Sequence, residues 1–318
     1  MFRFLRARLY RALLVLLVGS LFAYMLLRLL PGDPTLVKLG ANGTQEARDA
    51  LLRQWKLDGP WYSGYVRWLG GAIHGDLGKS FANNTPITTR LRQTLIPSFQ
   101  LMIYAQVVAL TVAVMLGVLQ AYLRGTRFDK VMNGVTSVLI SAPPFVLGLW
   151  LQIWVARKGG FFKATGYVPF SEDLWQHFKL MILPAVTLAA GPLATYARLL
   201  RTDMIATLQE DYILMAKSKG LRPSYLLFRH GLKPSLFSLI TSAGLNIGAL
   251  IGGAVAVEST FAIPGLGRLI VGSILEREYL QVQAGFLAVV LIFVVSNLAV
   301  ELLYGVLDPR IRHARSIG

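Results

Sequence analysis

Six apolar runs, each close to the length that crosses a bilayer, recur along the chain and are separated by polar segments. They fall at about residues 12–30, 96–123, 131–155, 180–200, 236–256 and 283–306. A helix needs about 20 consecutive, mostly apolar residues to span hydrocarbon. Inside hydrocarbon every backbone N–H and C=O must be satisfied within its own segment, so each run has to be a helix. Only 15% of the 318 residues are charged, whereas a soluble domain carries about a quarter. The expected fold is an all-α polytopic membrane protein with six transmembrane helices.

The distribution of cations gives the orientation. Arg3, Arg6, Arg8 and Arg11 precede the first run, and the short segment from Arg124 to Lys130 is basic, as is the tail from Asp308. Positive segments stay on the cytoplasmic side, which places both termini inside. Seventeen of the 32 Lys and Arg residues then fall inside and 14 outside, and Arg28 lies near the outer end of the first run. Eight of those 14 lie in the long segment 31–95, where the charge rule loses force. The first run ends in Pro31-Gly32-Asp33-Pro34 rather than in small residues at a cleavage site, so an uncleaved span is expected. The net charge of +16 is scattered among apolar spans instead of gathered on one soluble face. Anionic membrane lipid is thus the expected partner of these cations, and nucleic acid is not.

Three regions follow. Residues 1–30 hold the cytoplasmic N-terminus and first span. Residues 31–95 form an external region with a short amphipathic helix near Thr44–Lys56, and Trp55, Trp61, Tyr62, Tyr65 and Trp68 suit lipid headgroups. Residues 96–318 hold spans two to six, with Pro143-Pro144 breaking or kinking the third. Phe161, Phe162, Tyr167 and Trp175 suit an interface in the loop after it. Gly75-Asp76-Leu77-Gly78-Lys79-Ser80 has the ending of a phosphate-binding loop, but Ile73 stands where the motif needs its first glycine and no apolar strand precedes it.

The stretch from Asp211 to Pro234 is polar, basic and set between two apolar runs. Leu208, Tyr212, Met215 and Ala216 have helical spacing; Gly220 suits a helix C-cap and Pro223 the first turn of a second short helix. The expected form is a helix–turn–helix with an apolar ridge. A basic loop that only fixes topology is the plainer alternative. This segment resembles the cytoplasmic coupling (EAA) loop of ABC importer permeases, in which Glu-Ala-Ala, three residues, Gly and nine residues precede Ile-x-Leu-Pro. Here Leu214-Met215-Ala216, Gly220 and His230-Gly231-Leu232-Lys233 occupy those positions. The glycine, the last alanine and the leucine match. The glutamate and the proline are missing, as is usual in the dipeptide/oligopeptide branch.

Other stretches carry the same likeness. Glu258 to Arg268, with Phe261, Ile263, Pro264, Gly265 and Leu266, resembles the loop before the last span of dipeptide permeases. Pro31–Pro34, Gly75–Gly78 and Leu307–Arg310 resemble that family too. The resemblance implies the type I permease fold of ABC importers, with a coupling loop over 201–234 and an external loop over 257–281. It implies a second, homologous permease, two cytoplasmic ATPase subunits and an external substrate-binding protein as partners. ATP and Mg belong to the ATPases, and this chain binds no cofactor. Asp211, Tyr212, Met215, Ala216, Lys217, Lys219, Gly220, Leu221 and Arg222 would meet an ATPase. Glu258, the apolar tips Phe261, Ile263 and Leu266, and Pro264, Gly265 and Arg268 would gate the outer mouth or touch the binding protein; a tight turn between spans is the alternative.

Gly244, Gly248 and Gly252, with Asn246 nearby, recur every four residues in the fifth span. That spacing gives a flat helix face for packing within the subunit, or for a seam with a sister subunit or a pathway wall. No acidic residue is expected well inside a span, which counts against an ion-coupled secondary transporter. His74, His177, His230 and His313 lie on separate loops without metal-ligand spacing, and there are no cysteines. No catalytic constellation is found. The resemblance implies import of dipeptides or oligopeptides across the inner (cytoplasmic) membrane, with nickel or glutathione as alternative substrates.

Overall fold

The computed structural model describes residues 2–29, 35, 39–40, 43–54, 59–156 and 165–307. Pro31–Pro34, Trp55, Phe161, Phe162, the tail from Asp308 and His313 lie outside the described residues. The described elements are helices: α1 (Phe2–Leu29), α2 (Gln45–Gln54), α3 (Trp61–Ile73), α4 (Ile87–Tyr122), α5 (Arg127–Ser141), α6 (Pro144–Leu151), α7 (Leu174–Thr207), α8 (Asp211–Ser218), α9 (Pro223–Leu245), α10 (Ile247–Phe261), α11 (Leu266–Leu275) and α12 (Tyr279–Leu307). Among the described residues the β structure is an isolated bridge between Lys79 and Pro86. The protein is an all-α polytopic membrane protein.

Within α1, α4, α7 and α12 lie stretches long and apolar enough to cross a membrane. Two further candidates are bent pairs. α5 and the α6 segment meet at 108°, and α9 and α10 at 51°. The first bend is sharper than a kink within one helix. Pro144 occupies the first turn of α6, Pro143 is extended before it, and Ala142 is forced out of helical geometry by the following proline. The second bend has no proline. Asn246 sits at the break with ψ near zero, between Gly244 and Gly248, which bring little side-chain packing to hold a helix straight. The glycines at 244, 248 and 252 therefore do not form one flat face. Gly244 belongs to α9, and the other two belong to α10 beyond the bend.

Contacts divide the described chain into two compact units, residues 2–98 with 264–298, and residues 99–263 with 299–307. In the first, Leu77, Ile87 and Ala284 form a buried cluster covered by Trp68, Leu91 and Leu280. Tyr65 donates or accepts a 2.8 Å bond with Ser20, which ties α3 to α1. The Gly-Lys-Ser loop is in this unit, and an internal carboxylate fills it. Ser80 Oγ and the Ala82 N–H donate to Glu278 Oε1 at 2.8 and 2.7 Å, and the Phe81 N–H donates to Oε2 at 2.9 Å. Glu278 is 1% exposed. Successive N–H groups turned toward one point make an anion nest, and here its anion is a side chain of the same protein.

In the second unit α7 is the spine, touching α5, α6, α9 and α10. Its buried Ala189, Ala194 and Ala197 let neighbours come close. A Cβ on Gly117 of α4 would lie 3.0 Å from Leu200 of α7. Gln106 Nε2 donates to the Ala243 carbonyl at 3.4 Å, one turn before the break at Asn246, and the buried Tyr196 donates to Gln106 Oε1 at 3.3 Å.

Candidate functional site

α7 runs unbroken from Leu174 to Thr207, and after three intervening residues α8 starts at Asp211. The C-terminus of α8 is a Schellman motif: Leu221 N–H bonds the Ala216 carbonyl at 3.4 Å and Gly220 N–H the Lys217 carbonyl at 3.0 Å. Gly220 has φ +77°, the left-handed geometry that glycine adopts without strain. Pro223 opens α9 at its first turn. The second helix is not short, however. It passes through a π-helical turn, Leu226–Leu232, straight into the apolar part of α9. The wider turn accommodates Gly231, whose missing Cβ lets Leu208 and Met204 approach.

One residue anchors α8. Ile213 is 3% exposed, and Tyr212 donates to the His230 carbonyl at 3.4 Å. Met215 is 61% exposed, and Tyr212 and Leu221 are also exposed. Asp211, Lys217, Lys219, Gly220 and Arg222 are exposed around them, and Ala216 is half-buried. Leu214, Tyr225 and Phe228 extend the exposed apolar surface. Sequence reasoning passed over Tyr225 and Phe228 because they lie next to the π turn or in it, where the 3.6-residue period fails. The surface is an apolar ridge with a cationic rim, the chemistry of a protein contact rather than of catalysis.

A cleft of about 240 Å³ lies elsewhere in the same unit, where both bends face α7. Ala142 and Pro144 line it from the first bend, Asn246 and Ala249 from the second, and Gly191 and Pro192 from α7. Of the expected packing and pathway residues, only Asn246 is in this lining. Gly244 is spent inside the subunit, since a Cβ there would lie 2.5 Å from Val300. Gly248 is half-buried, and Gly252 is exposed with open space beside it.

The expected outer group is only partly displayed. α10 continues to Phe261, so Glu258 sits within the helix and is 0% exposed. Phe261 and Ile263 are buried, not tips, because Gln152 and Gly166 hold the end of α10 through the Thr260 and Phe261 carbonyls, each at 3.0 Å, and Leu266 is buried as well. Leu266 starts α11, where Ser98 Oγ accepts its N–H at 2.7 Å. The segment expected as a loop thus contains a ten-residue helix. Gly265 is buried, and Pro264 and Arg268 remain exposed.

Sequence reasoning also missed an ion pair. Arg201 of α7 donates Nε and Nη2 to the two carboxylate oxygens of Asp129 on α5, both at 2.7 Å. Asp129 is 3% exposed. The residues stand 72 positions apart, so no local pattern announces them.

Two family models match, one described as "Binding-protein-dependent transport system inner membrane component" over residues 113–313, and its N-terminal counterpart over residues 1–101. A Brucella abortus protein named as a peptide transport system permease is 34% identical over 306 residues, covering 96% of this chain and 98% of its own. The "Dipeptide transport system permease protein DppB" of Escherichia coli strain K12 is 32% identical over 320 residues, covering 93% and 94%. A solved amino acid ABC transporter with histidines overlaps 70% of this chain and 94% of its own at 17% identity and TM-score 0.48, too distant to carry argument. The chain belongs to the family of binding-protein-dependent transport system inner membrane components.

Proposed function

We propose that this chain is a permease subunit of an ATP-driven importer of dipeptides or oligopeptides in the cytoplasmic (inner) membrane. It crosses six times, each bent pair counting as one crossing, with both termini inside. A sister permease completes the pathway. Two cytoplasmic ATPases hold ATP and Mg and do the hydrolysis, and an external binding protein delivers the peptide. This subunit does no chemistry; it converts ATPase closure into alternating access, a two-state change biased by a ligand. The names of the relatives supply the substrate class. The observation that carries the coupling role is the exposed ridge of Tyr212, Leu214 and Met215 on a helix anchored by Ile213.

The test is ATP hydrolysis by the assembled complex in lipid, with and without binding protein loaded with peptide. Met215→Ala removes the exposed apolar side chain at the centre of the ridge. Loss of a central contact costs about 2 kcal/mol, so ATPase binding should weaken on the order of 30-fold. Peptide-stimulated hydrolysis at unchanged strength would sink the docking role of α8. Proton-driven uptake by this chain alone would sink the importer reading.

A further inference from the structure

We propose that Asp129 and Arg201 form the joint that carries movement of α8 to the cleft, as positioning residues for transport. The proposal rests on the importer reading above and names how the ridge and the cleft are linked.

Asp129 stands in the first turn of α5, and its carboxylate is held by four hydrogen bonds from three residues. Its Oδ2 accepts the Gly125 N–H at 3.0 Å, its Oδ1 accepts Asn133 Nδ2 at 3.0 Å, and Arg201 grips both oxygens. Arg198, three residues before Arg201 and on the same helix face, donates to Ser137 Oγ at 2.9 Å. α7 therefore holds α5 at two heights. Burying a carboxylate with its partner is costly, and apolar side chains of similar volume often hold two helices at least as well. What the charged fork adds is register. Two parallel bonds between planar groups resist both rotation and sliding, whereas apolar contacts slide.

The position of the joint gives that register a use. Arg201 lies within the last two turns of α7, directly before the turn into α8. A tilt of α8 under a bound ATPase reaches Arg201 through the hydrogen-bonded turn Leu208–Glu210 and the last turns of α7. Asp129 is at the opposite end of α5 from the 108° bend. Leu139, Ala142 and Pro144 at that bend line the cleft. α5 thus acts as a lever, with the ion pair at the driven end and the cleft wall at the working end, all in one compact unit.

The experiment measures peptides carried per ATP hydrolysed. The reconstituted complex with its binding protein is given an equimolar mixture of radiolabelled dipeptides and oligopeptides. Mutations along a coupling route shift coupling by amounts equivalent to about 2- to 30-fold, and Asp129→Asn should lower the ratio within that range while hydrolysis continues. A clamp with a purely structural role lowers uptake and hydrolysis together; an unchanged ratio overturns the proposal. If Asp129→Asn is not recovered in the complex, Arg201→Lys decides. It keeps the charge and replaces the fork with a point charge. A lowered ratio supports the joint, and a wild-type ratio overturns it. Absence of ATP-dependent uptake by the wild-type complex, read before any variant, is failure of the importer reading instead.

Discussion

Gly244 and Gly252 are the same residue on the two sides of one bend, and the same substitution should have opposite effects on them. Alanine in a helix is favoured over glycine by about 1 kcal/mol. At Gly244 the new Cβ would meet both Val300 methyls at 2.5 Å, and overpacking of that kind costs about 1–3 kcal/mol. The clash wins: Gly244→Ala should lower the unfolding temperature of the solubilised chain, and Val300→Ala should restore it. At Gly252 nothing lies within 4 Å, so Gly252→Ala should hold or raise that temperature. Glu278 shows another residue-scale effect. Gln at this position keeps the shape but loses the charge that three donors surround. Hydrogen bonds to charged groups are worth about 1.5–3 kcal/mol, so Glu278→Gln should destabilise the first unit by at least one such bond. Hydrogen exchange at the Phe81 and Ala82 amides would report the loss, and unchanged protection would contradict it.

At the scale of elements, the sequence was readable wherever local chemistry decides the outcome. Apolar runs gave the long helices. Gly220 and Pro223 punctuated α8 and α9 because a left-handed residue and a residue without N–H fit few other places. Pro143-Pro144 marked the first bend. The break at Asn246 was not readable, since evenly spaced glycines look like a continuous face until packing bends the helix. α11 was missed because its flanking Pro-Gly suggested a turn, although ten residues of helix follow. In the candidate site, spacing marked Tyr212 and Met215, which are exposed on α8, but Leu208, counted in the same stripe, caps α7 instead because the helix ends before it. The Asp129–Arg201 joint and the burial of Glu258 depend on which helices become neighbours, and that information is not local. The same reason hid the partner of the Gly-Lys-Ser loop: its glycines are legible, but the carboxylate that fills it comes from the other end of the chain.

For the whole molecule, the Glu278 nest says something about time. Ser80 and Glu278 are 198 residues apart. A ribosome adding about 5–20 residues per second needs on the order of 10–40 s to make that stretch. Throughout that interval the amides of Phe81 and Ala82 lack the Glu278 carboxylate they donate to in the folded chain. A chain ended after Leu275 should therefore be cut by protease within residues 79–86, where the full chain resists; equal resistance of the two would show that the loop orders itself without Glu278. Synthesis runs from one end and closure from the other. The order of an early loop becomes a record of whether Glu278, at the threshold of the final helix, has been placed, so an unfinished or misinserted chain displays its fault at a site made long before the fault occurred.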